Sequence, residues 1–180
     1  MALPIAPGSY GIDAVHSQIG FAVTHLGISI IRGTFDRFFG ELHVGDDLAA
    51  TVVVVEAEVA SINSGSRDRD ASVLGPDFLD ATAHPDMRFR SSSIVEEGGS
   101  YTMTSDLTIK GITHPVKLNV TFNGSSNFPV DDSTHFGFTA AGIISRSSFG
   151  VSALVPLVSD DVTLSIDAQF VLPKADSRSE

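Results

Sequence analysis

The stretch DAVHSQIGFAVTHLGISIIRGTFDRFFGELHV, residues 13–44, decides the fold. Successive side chains of a β-strand point to opposite faces, so Ile19, Phe21 and Val23 share one face of a first predicted strand. After a turn near residues 27–29, a second strand is predicted, and one of its faces carries Gly33, Phe35, Arg37 and Phe39. Two neighbouring strands with an aromatic face require further apolar structure to cover it.

The same alternation continues along the chain. In residues 48–62, Val53 and Val55 share a face with Ala57, while Glu56 and Glu58 share the opposite, wet face. Five more strands are predicted at residues 87–93, 100–110, 116–123, 135–145 and 161–172. Turn dipeptides such as Asn123-Gly124 separate them.

Residues 66–82 interrupt this pattern with the one helical excursion that the sequence predicts. Ser66 or Asp68 can cap a short helix, and Asp77 can cap a second turn. The segment could cover the mouth of a barrel, with Arg69 expected to be solvated. His84 precedes Pro85, which ends the helical region because a residue before proline disfavours the helical conformation.

Eight predicted strands with one apolar face each indicate a single all-β domain, a closed antiparallel eight-stranded barrel with an ordered core over residues 8–172. A β-sandwich is the alternative. Closure removes the unpaired edges of an open sheet. Several inward positions are small, which favours an interior with open space, although the taper of a packed barrel would look similar. These small positions are Gly33, Ala57, Ala140, Gly142 and Ala168.

Composition limits the possible partners. The chain has 180 residues and a net charge of −11, which disfavours nucleic acids and anionic bilayers as partners. It contains no cysteine, so disulfides and thiolate metal sites are excluded. The longest apolar run, residues 52–55, is far shorter than a membrane-spanning helix, and stable membrane insertion is not expected. The N-terminus lacks a signal-peptide pattern, so we expect a cytoplasmic location, or a periplasmic or secreted one if a leader was removed.

Three segments resemble the YceI-like family of polyisoprenoid-binding proteins with a lipocalin-like barrel. They are YGIDAVHSQIGFAVTH (residues 10–25), LTIKGITHPV (residues 107–116) and RSSFG (residues 146–150). The resemblance extends from residue 10 to about residue 170. It implies a barrel that carries a long amphiphilic chain such as an isoprenoid quinone or a polyprenyl phosphate, without catalytic residues, and often as a homodimer. Members of this family are often exported, whereas this chain shows no leader.

The alternation of side chains along the predicted strands identifies the candidate binding residues. Apolar residues on the inward faces are predicted to line a cavity for the lipid tail, with plain core packing as the alternative for each. They are Phe21, Phe35, Phe39, Val55, Met87, Phe89, Met103, Leu107, Leu118, Phe122, Phe136, Phe138, Ile144, Phe149 and Leu164. Twelve Phe and no Trp favour a wall without hydrogen-bond donors, which suits a hydrocarbon tail.

Three polar residues share the inward faces and are candidates for binding the lipid head group: Arg146, His25 and Arg37. A guanidinium can hold a phosphate or a quinone oxygen through paired hydrogen bonds. The alternative for Arg146 is a structural ion pair with a carboxylate such as Asp13 or Asp68. For His25 the alternative is a structural histidine.

No motif supports catalysis or a metal site. The six histidines lack metal-ligand spacing, and no nucleophile elbow or glycine-rich phosphate loop is present. We therefore predict a non-enzymatic carrier or sequestering protein for a long-chain isoprenoid or fatty lipid, with no cofactor and no metal. The alternatives are an enzyme acting on such a lipid and a filled barrel that binds a protein.

Overall fold

Eleven strand segments and one α-helix form the part of the chain that the computed structural model describes, residues 2–172. The strands are β1 (Gly8–Ile12), β2 (Gln18–His25), β3 (Ser29–Phe35), β4 (Phe38–Val44), β5 (Val52–Glu58), β6 (Ile62–Asn63), β7 (Asp86–Glu97), β8 (Ser100–Ile109), β9 (Ile112–Phe128), β10 (Ser133–Ser145) and β11 (Asp161–Val171). The helix, α1 (Arg67–Val73), lies between β6 and β7. The polar tail after residue 172 lies outside the described residues.

The sheet closes because β1 pairs with β4 on one side and with β11 on the other. The closed ring runs β1-β4-β5-β7-β8-β9-β10-β11, and every pairing is antiparallel. The remaining segments are parts of the same long strands: β2 follows β1, β3 precedes β4 and β6 follows β5, each after a short interruption. The predicted closed eight-stranded antiparallel barrel is therefore confirmed.

The interruption between β3 and β4 corrects one part of the sequence prediction. Residues 36–37 lie outside both strands, and they change which residues face inward. Phe38 pairs with Ala57 on the inward face, whereas the Phe39 side chain points outward and is 65% exposed. The prediction that Phe39 and Arg37 face inward with Phe35 was wrong, because the alternation does not continue through the break.

The helical excursion forms where it was predicted, in shorter form. Ser66 caps α1 by accepting a hydrogen bond from the backbone N–H of Arg69. The residues after Gly75 form turns and no second helix. None of the helices within residues 2–172 is long and apolar enough to cross a membrane.

The two ends of the barrel differ in packing. At one end, which we call the closed end, the residues before β1 and the loop between β4 and β5 fold over the interior. Leu3, Ile5 and Leu48 from these segments are buried in one cluster with the side chains of Tyr10, Leu42, Val44, Tyr101, Phe136 and Phe170. The opposite end, the open end, carries the β2–β3 turn, the segment 64–85 with α1, and the loop 146–160.

A seam runs along the barrel wall between β6 and β7. The ladder from β5 to β7 extends from Val54 to Glu58, and β6 pairs only with β3 within the described residues. Beyond the ladder, segment 64–85 covers the gap. It is attached by few polar contacts, including Lys110 Nζ to the Pro76 carbonyl (2.9 Å) and the Val59 N–H to the Pro85 carbonyl (2.8 Å).

The parity change at residues 36–37 predicts unequal costs for two phenylalanine truncations. Phe35→Ala should lower the free energy of unfolding by about 3–5 kcal/mol, because this side chain is buried. Phe39→Ala should cost less than about 1 kcal/mol, because its ring is largely exposed. Urea unfolding of both variants checks this, and equal losses would contradict the observed facing.

Candidate ligand-binding cavity

An apolar cavity of about 700 Å³ lies inside the barrel. This volume falls within the range of about 300–1,000 Å³ that is typical of small-molecule sites. Inward-facing residues from all eight long strands form its wall, together with residues of segment 64–85 and of loop 146–160. The cavity is therefore a feature of the whole barrel, and it reaches the open end.

Small side chains create the open space. Ala57, Ala140 and Ala168 line the cavity, each where a larger inward residue would fill it. The two small glycine positions do something else. A Cβ at Gly33 would collide with the ring of Phe21, and one at Gly142 would lie 2.6 Å from the side chain of Leu118. These glycines let neighbouring strands place a large side chain across them.

Most of the predicted lining residues lie on the cavity wall. The twelve found there are Phe21, Phe35, Val55, Met87, Phe89, Met103, Leu107, Leu118, Phe138, Ile144, Phe149 and Leu164. Their alternation with outward residues was readable from the sequence because these strands have no break within the relevant stretch. Their contact with a ligand stays a prediction.

Three predicted lining residues lie elsewhere. Phe39 is on the outer surface. Phe136 faces inward but is buried at the closed end, where its ring packs edge-on against Tyr10 with centroids 5.1 Å apart. Phe122 packs against the same cluster and against Phe138, with centroids 5.2 Å apart. Phe122 and Phe136 therefore help to form the floor below the cavity. The sequence prediction missed this, because the alternation along a strand shows which residues face inward but not at which level of the barrel the interior is filled.

Arg146 combines burial with a place on the cavity wall. It follows β10 at the open end, and it is 8% exposed. Its Nε, Nη1 and Nη2 atoms donate hydrogen bonds to the carbonyls of Ser159, Val151 and Val158, at 2.9, 2.8 and 2.9 Å. The guanidinium thus holds loop 146–160 in place over the open end.

The charge of Arg146 has no carboxylate bound to it within the described residues. The ion pairs formed there involve other residues, and the anticipated partners Asp13 and Asp68 do not contact it. Burial lowers the pKa of the Arg146 guanidinium from its usual value, and the negative charge of Asp160 opposes that shift. A guanidinium has five N–H donors, so two remain beyond the three carbonyl bonds. The guanidinium of Arg146 therefore keeps donor capacity beyond the bonds that hold the loop.

His25 and Arg37, the other head-group candidates, differ in position. His25 lines the cavity at the end of β2, and its backbone bridges to Val158. Arg37 lies on the outer surface, where its Nε and Nη2 donate to both carboxylate oxygens of Glu58 at 2.6 and 2.7 Å. Arg37 is therefore excluded from the cavity by the break between β3 and β4.

Sequence reasoning missed the contribution of α1. Arg69, Ser72 and Val73 line the cavity, so Arg69 is not the solvated residue that was expected. Its Nε donates to the Ser64 hydroxyl at 2.8 Å, and its Nη2 donates to the Ser64 carbonyl at 2.7 Å. The signal was present, because Ser66 fixes the helix start and residues three and four apart lie on one helix face. Ser64 and the side chains of Phe78 and Leu79 complete this side of the wall.

Polar and apolar groups are therefore separated along the cavity. Arg146, His25, Arg69 and Ser72 belong to the open end, while the middle of the barrel contributes aliphatic and aromatic side chains. Within residues 2–172, no three His, Cys, Asp or Glu side chains converge on a position that could hold a metal ion. This arrangement matches an amphiphile whose head lies at the open end.

Sequence comparison identifies the relatives of this chain. The profile of the YceI-like domain matches residues 10–170. A UPF0312 protein of Vibrio cholerae is 32% identical over 160 residues, which cover 86% of this chain and 84% of the relative. A UPF0312 protein of Staphylococcus aureus is 31% identical over 166 residues, covering 90% and 93%. The chain belongs to the YceI-like family.

Solved structures agree with the YceI-like fold. BcnA of Burkholderia cenocepacia superposes with a TM-score of 0.79 at 24% identity, covering 88% of this chain and 98% of BcnA. The YceI protein of Campylobacter jejuni gives a TM-score of 0.74 at 27% identity, covering 84% and 90%. A polyisoprenoid-binding domain from Saccharophagus degradans gives 0.70 at 14% identity, covering 91% and 98%. These superpositions show that the chain has the barrel fold of the YceI-like structures.

Asp160 stabilises the loop that this YceI-like chain folds over its open end. Its carboxylate accepts hydrogen bonds from the hydroxyl groups of Ser145 (2.5 Å) and Ser147 (2.9 Å), and from the Ser147 backbone N–H (2.8 Å). The hydrogen bond from Ser145 makes the largest contribution in lowering the pKa of Asp160 below its usual 3.8. The charged form of Asp160 is therefore the one that the fold favours.

This lowered pKa predicts an acid-dependent loss of stability. The contribution of Asp160 to the free energy of unfolding should be complete above pH 3.8, and it should disappear as the pH falls through the lower pKa of the folded state. Asp160→Asn should therefore be less stable than the native chain near pH 6, and the two should converge at the acid end. Urea unfolding at a series of pH values measures this. A difference that is constant across the series would contradict it.

Proposed function

We propose that this protein binds a long-chain isoprenoid lipid in the barrel cavity, for carriage or sequestration, with the tail in the apolar interior and the head group at the open end. The observation that carries the proposal is the cavity itself, about 700 Å³ of space enclosed by apolar side chains, with polar groups gathered at one end. The apolar middle of an interior of this size favours a hydrocarbon guest over water.

Tail burial can supply the affinity. Each buried CH₂ group contributes about 0.8 kcal/mol, so one five-carbon isoprene unit contributes about 4 kcal/mol. Four such units give about 16 kcal/mol of gross transfer free energy, which exceeds the roughly 4–15 kcal/mol lost on association. No specific contact to the tail is required, which fits a wall without tail-directed donors.

Arg146 supports a head group with hydrogen-bond acceptors. A phosphate or a quinone oxygen at the open end could accept from the two remaining N–H donors of the guanidinium. Arg69 adds a second cation to the same end, and His25 adds an imidazole. Two cations favour the phosphate of a polyprenyl phosphate over the uncharged oxygens of an isoprenoid quinone.

The arrangement supports binding over the two alternatives. A filled barrel that only presents its outer surface does not account for the cavity. Catalysis requires a reactive group beside the substrate head, and the two guanidinium groups at the open end, those of Arg146 and Arg69, are hydrogen-bond donors held by backbone carbonyls and by Ser64. We therefore propose a non-catalytic carrier.

Filling the cavity should block binding without unfolding the barrel. Ala140 lines the cavity and the adjacent Ala141 faces outward, so Ala140→Phe and Ala141→Phe form a matched pair. Ala140→Phe should lower affinity for farnesyl phosphate or longer analogues by at least about tenfold, because the ring occupies the space of the tail. Ala141→Phe should bind like the native chain. Titration followed by native mass spectrometry measures both, and thermal unfolding confirms that both fold. Unchanged binding by a folded Ala140→Phe variant would refute the tail site.

The head-group role of Arg146 predicts discrimination between two ligands with the same tail. The native protein should prefer a prenyl phosphate over the corresponding prenol by about tenfold or more, since a hydrogen bond to a charged group contributes about 1.5–3 kcal/mol. In Arg146→Gln this ratio should fall towards one. The ratio is informative even if the variant is less stable, because a general loss of binding affects both ligands. An unchanged ratio would exclude Arg146 as a head-group residue. A short-chain quinone that is bound more tightly than the phosphate would favour the other head group.

A further inference from the structure

Two uncharged apolar turns lie side by side at the open end. The first, residues 26–31, has the sequence LGISII, and the second, residues 153–158, has the sequence ALVPLV. Neither contains an ionisable residue, although 18% of the chain is charged. The Leu26 N–H donates to the Leu157 carbonyl at 2.7 Å, so backbone hydrogen bonding joins the two turns. We call these two segments the rim.

Five aliphatic side chains of the rim are largely exposed. Ile28 is 84% exposed, Ile30 60%, Leu154 57%, Leu157 54% and Leu26 53%. Scattered exposed aliphatic residues are ordinary on protein surfaces, whereas a continuous group marks a surface that contacts something apolar. The rim is such a group, since its members come from two turns that are bonded to each other.

The rim borders the cavity directly. His25 and Ser29 line the cavity, and the exposed residues 26–28 lie between them in the same turn. Leu154 and Val158 also line it, with the exposed Val155 and Leu157 between them. The apolar surface of the rim is therefore continuous with the apolar wall of the cavity.

We propose that the rim is a membrane-docking surface, inserted among the lipids of an uncharged bilayer so that the cavity opens onto the hydrocarbon. This inference rests on the proposed lipid-binding function. A tail that entered from such a surface would pass from hydrocarbon to cavity without crossing water. The rim favours a bilayer over a protein partner, because its exposed side chains are aliphatic and uncharged, and because its surface continues into a cavity that is proposed to receive a lipid tail. The net charge of −11 makes docking depend on apolar burial and not on attraction to anionic lipids.

The absence of tryptophan from the chain allows a direct test. Ile28→Trp places a single reporter in the rim, and Val130→Trp places one in an aliphatic position that is 80% exposed at the other end of the barrel. With phosphatidylcholine vesicles, the Ile28→Trp emission should shift to shorter wavelength and be quenched by brominated lipid tails. The Val130→Trp emission should not change. A reporter at residue 28 that stays in water, or equal responses at both positions, would overturn the proposal.

A second pair of variants measures the contribution of the rim. Ile28→Ser with Leu157→Ser should reduce co-sedimentation with phosphatidylcholine vesicles by about tenfold or more, because two aliphatic side chains no longer insert. Val15→Ser with Val130→Ser, which removes aliphatic side chains that are 86% and 80% exposed elsewhere, should leave it unchanged. Binding of the native chain should persist in 0.5 M NaCl, and salt-sensitive binding that requires anionic lipid would contradict apolar docking. A rim that instead holds two copies together, detected by sedimentation equilibrium without vesicle binding, would also overturn it.

Soluble-ligand binding separates the two proposals. The Ile28→Ser, Leu157→Ser variant should retain native affinity for farnesyl phosphate in vesicle-free buffer, while its transfer of a fluorescent prenyl lipid between vesicles should slow in parallel with the lost docking. If the native chain did not bind farnesyl phosphate, the proposed function would be refuted even if the chain docked on vesicles. If a variant that no longer docks still transferred the lipid at the native rate, the proposed role of the rim would be refuted.

Discussion

Hydrogen bonding between β1 and β11 closes the sheet, and closure sets the width of the interior independently of the side chains placed there. Eight strands enclose a space that side chains can either fill or leave open. In this chain the inward faces carry Phe, Leu, Ile and Val along most of their length, but alanine occupies positions 57, 140 and 168 at the level of the cavity. The ring of backbone hydrogen bonds resists collapse around these small residues. The cavity is the outcome of a fixed perimeter and a deficit of side-chain volume.

The two ends of the closed barrel are built differently. At the closed end, large side chains and the folded-over residues Leu3, Ile5 and Leu48 complete a packed core. At the open end, loop 146–160 is held by the buried guanidinium of Arg146, which bonds three carbonyls in place of a carboxylate. A cation in an apolar setting costs free energy unless it is well satisfied. Arg146 therefore serves the loop and, in the proposed complex, the ligand head as well.

Much of this could be predicted from the sequence. The period-two pattern located all eight long strands and placed twelve cavity residues on the correct face, because alternation is a local property of an extended chain. It failed at Phe39 and Arg37, since two residues outside the strands at 36–37 shift the alternation and carry no strong turn signal. It misjudged the height of Phe122 and Phe136, because the filling of the interior depends on residues 3–5, which are distant in sequence. The helix face of Arg69 was readable from the Ser66 cap, but which wall that face covers depends on tertiary structure.

The seam between β6 and β7 bears on how long a tail the barrel can accept. Elsewhere neighbouring strands of the wall are paired by ladders of backbone hydrogen bonds, and separating two strands would break a whole row of these bonds. Across the seam, segment 64–85 is attached by side-chain contacts and a few single hydrogen bonds, so displacing it would break no ladder. Segment 64–85 is thus the part of the wall whose displacement would cost the fewest backbone hydrogen bonds. Homologous lipids that differ in chain length could therefore share this cavity, with the longer ones accommodated by displacement of segment 64–85.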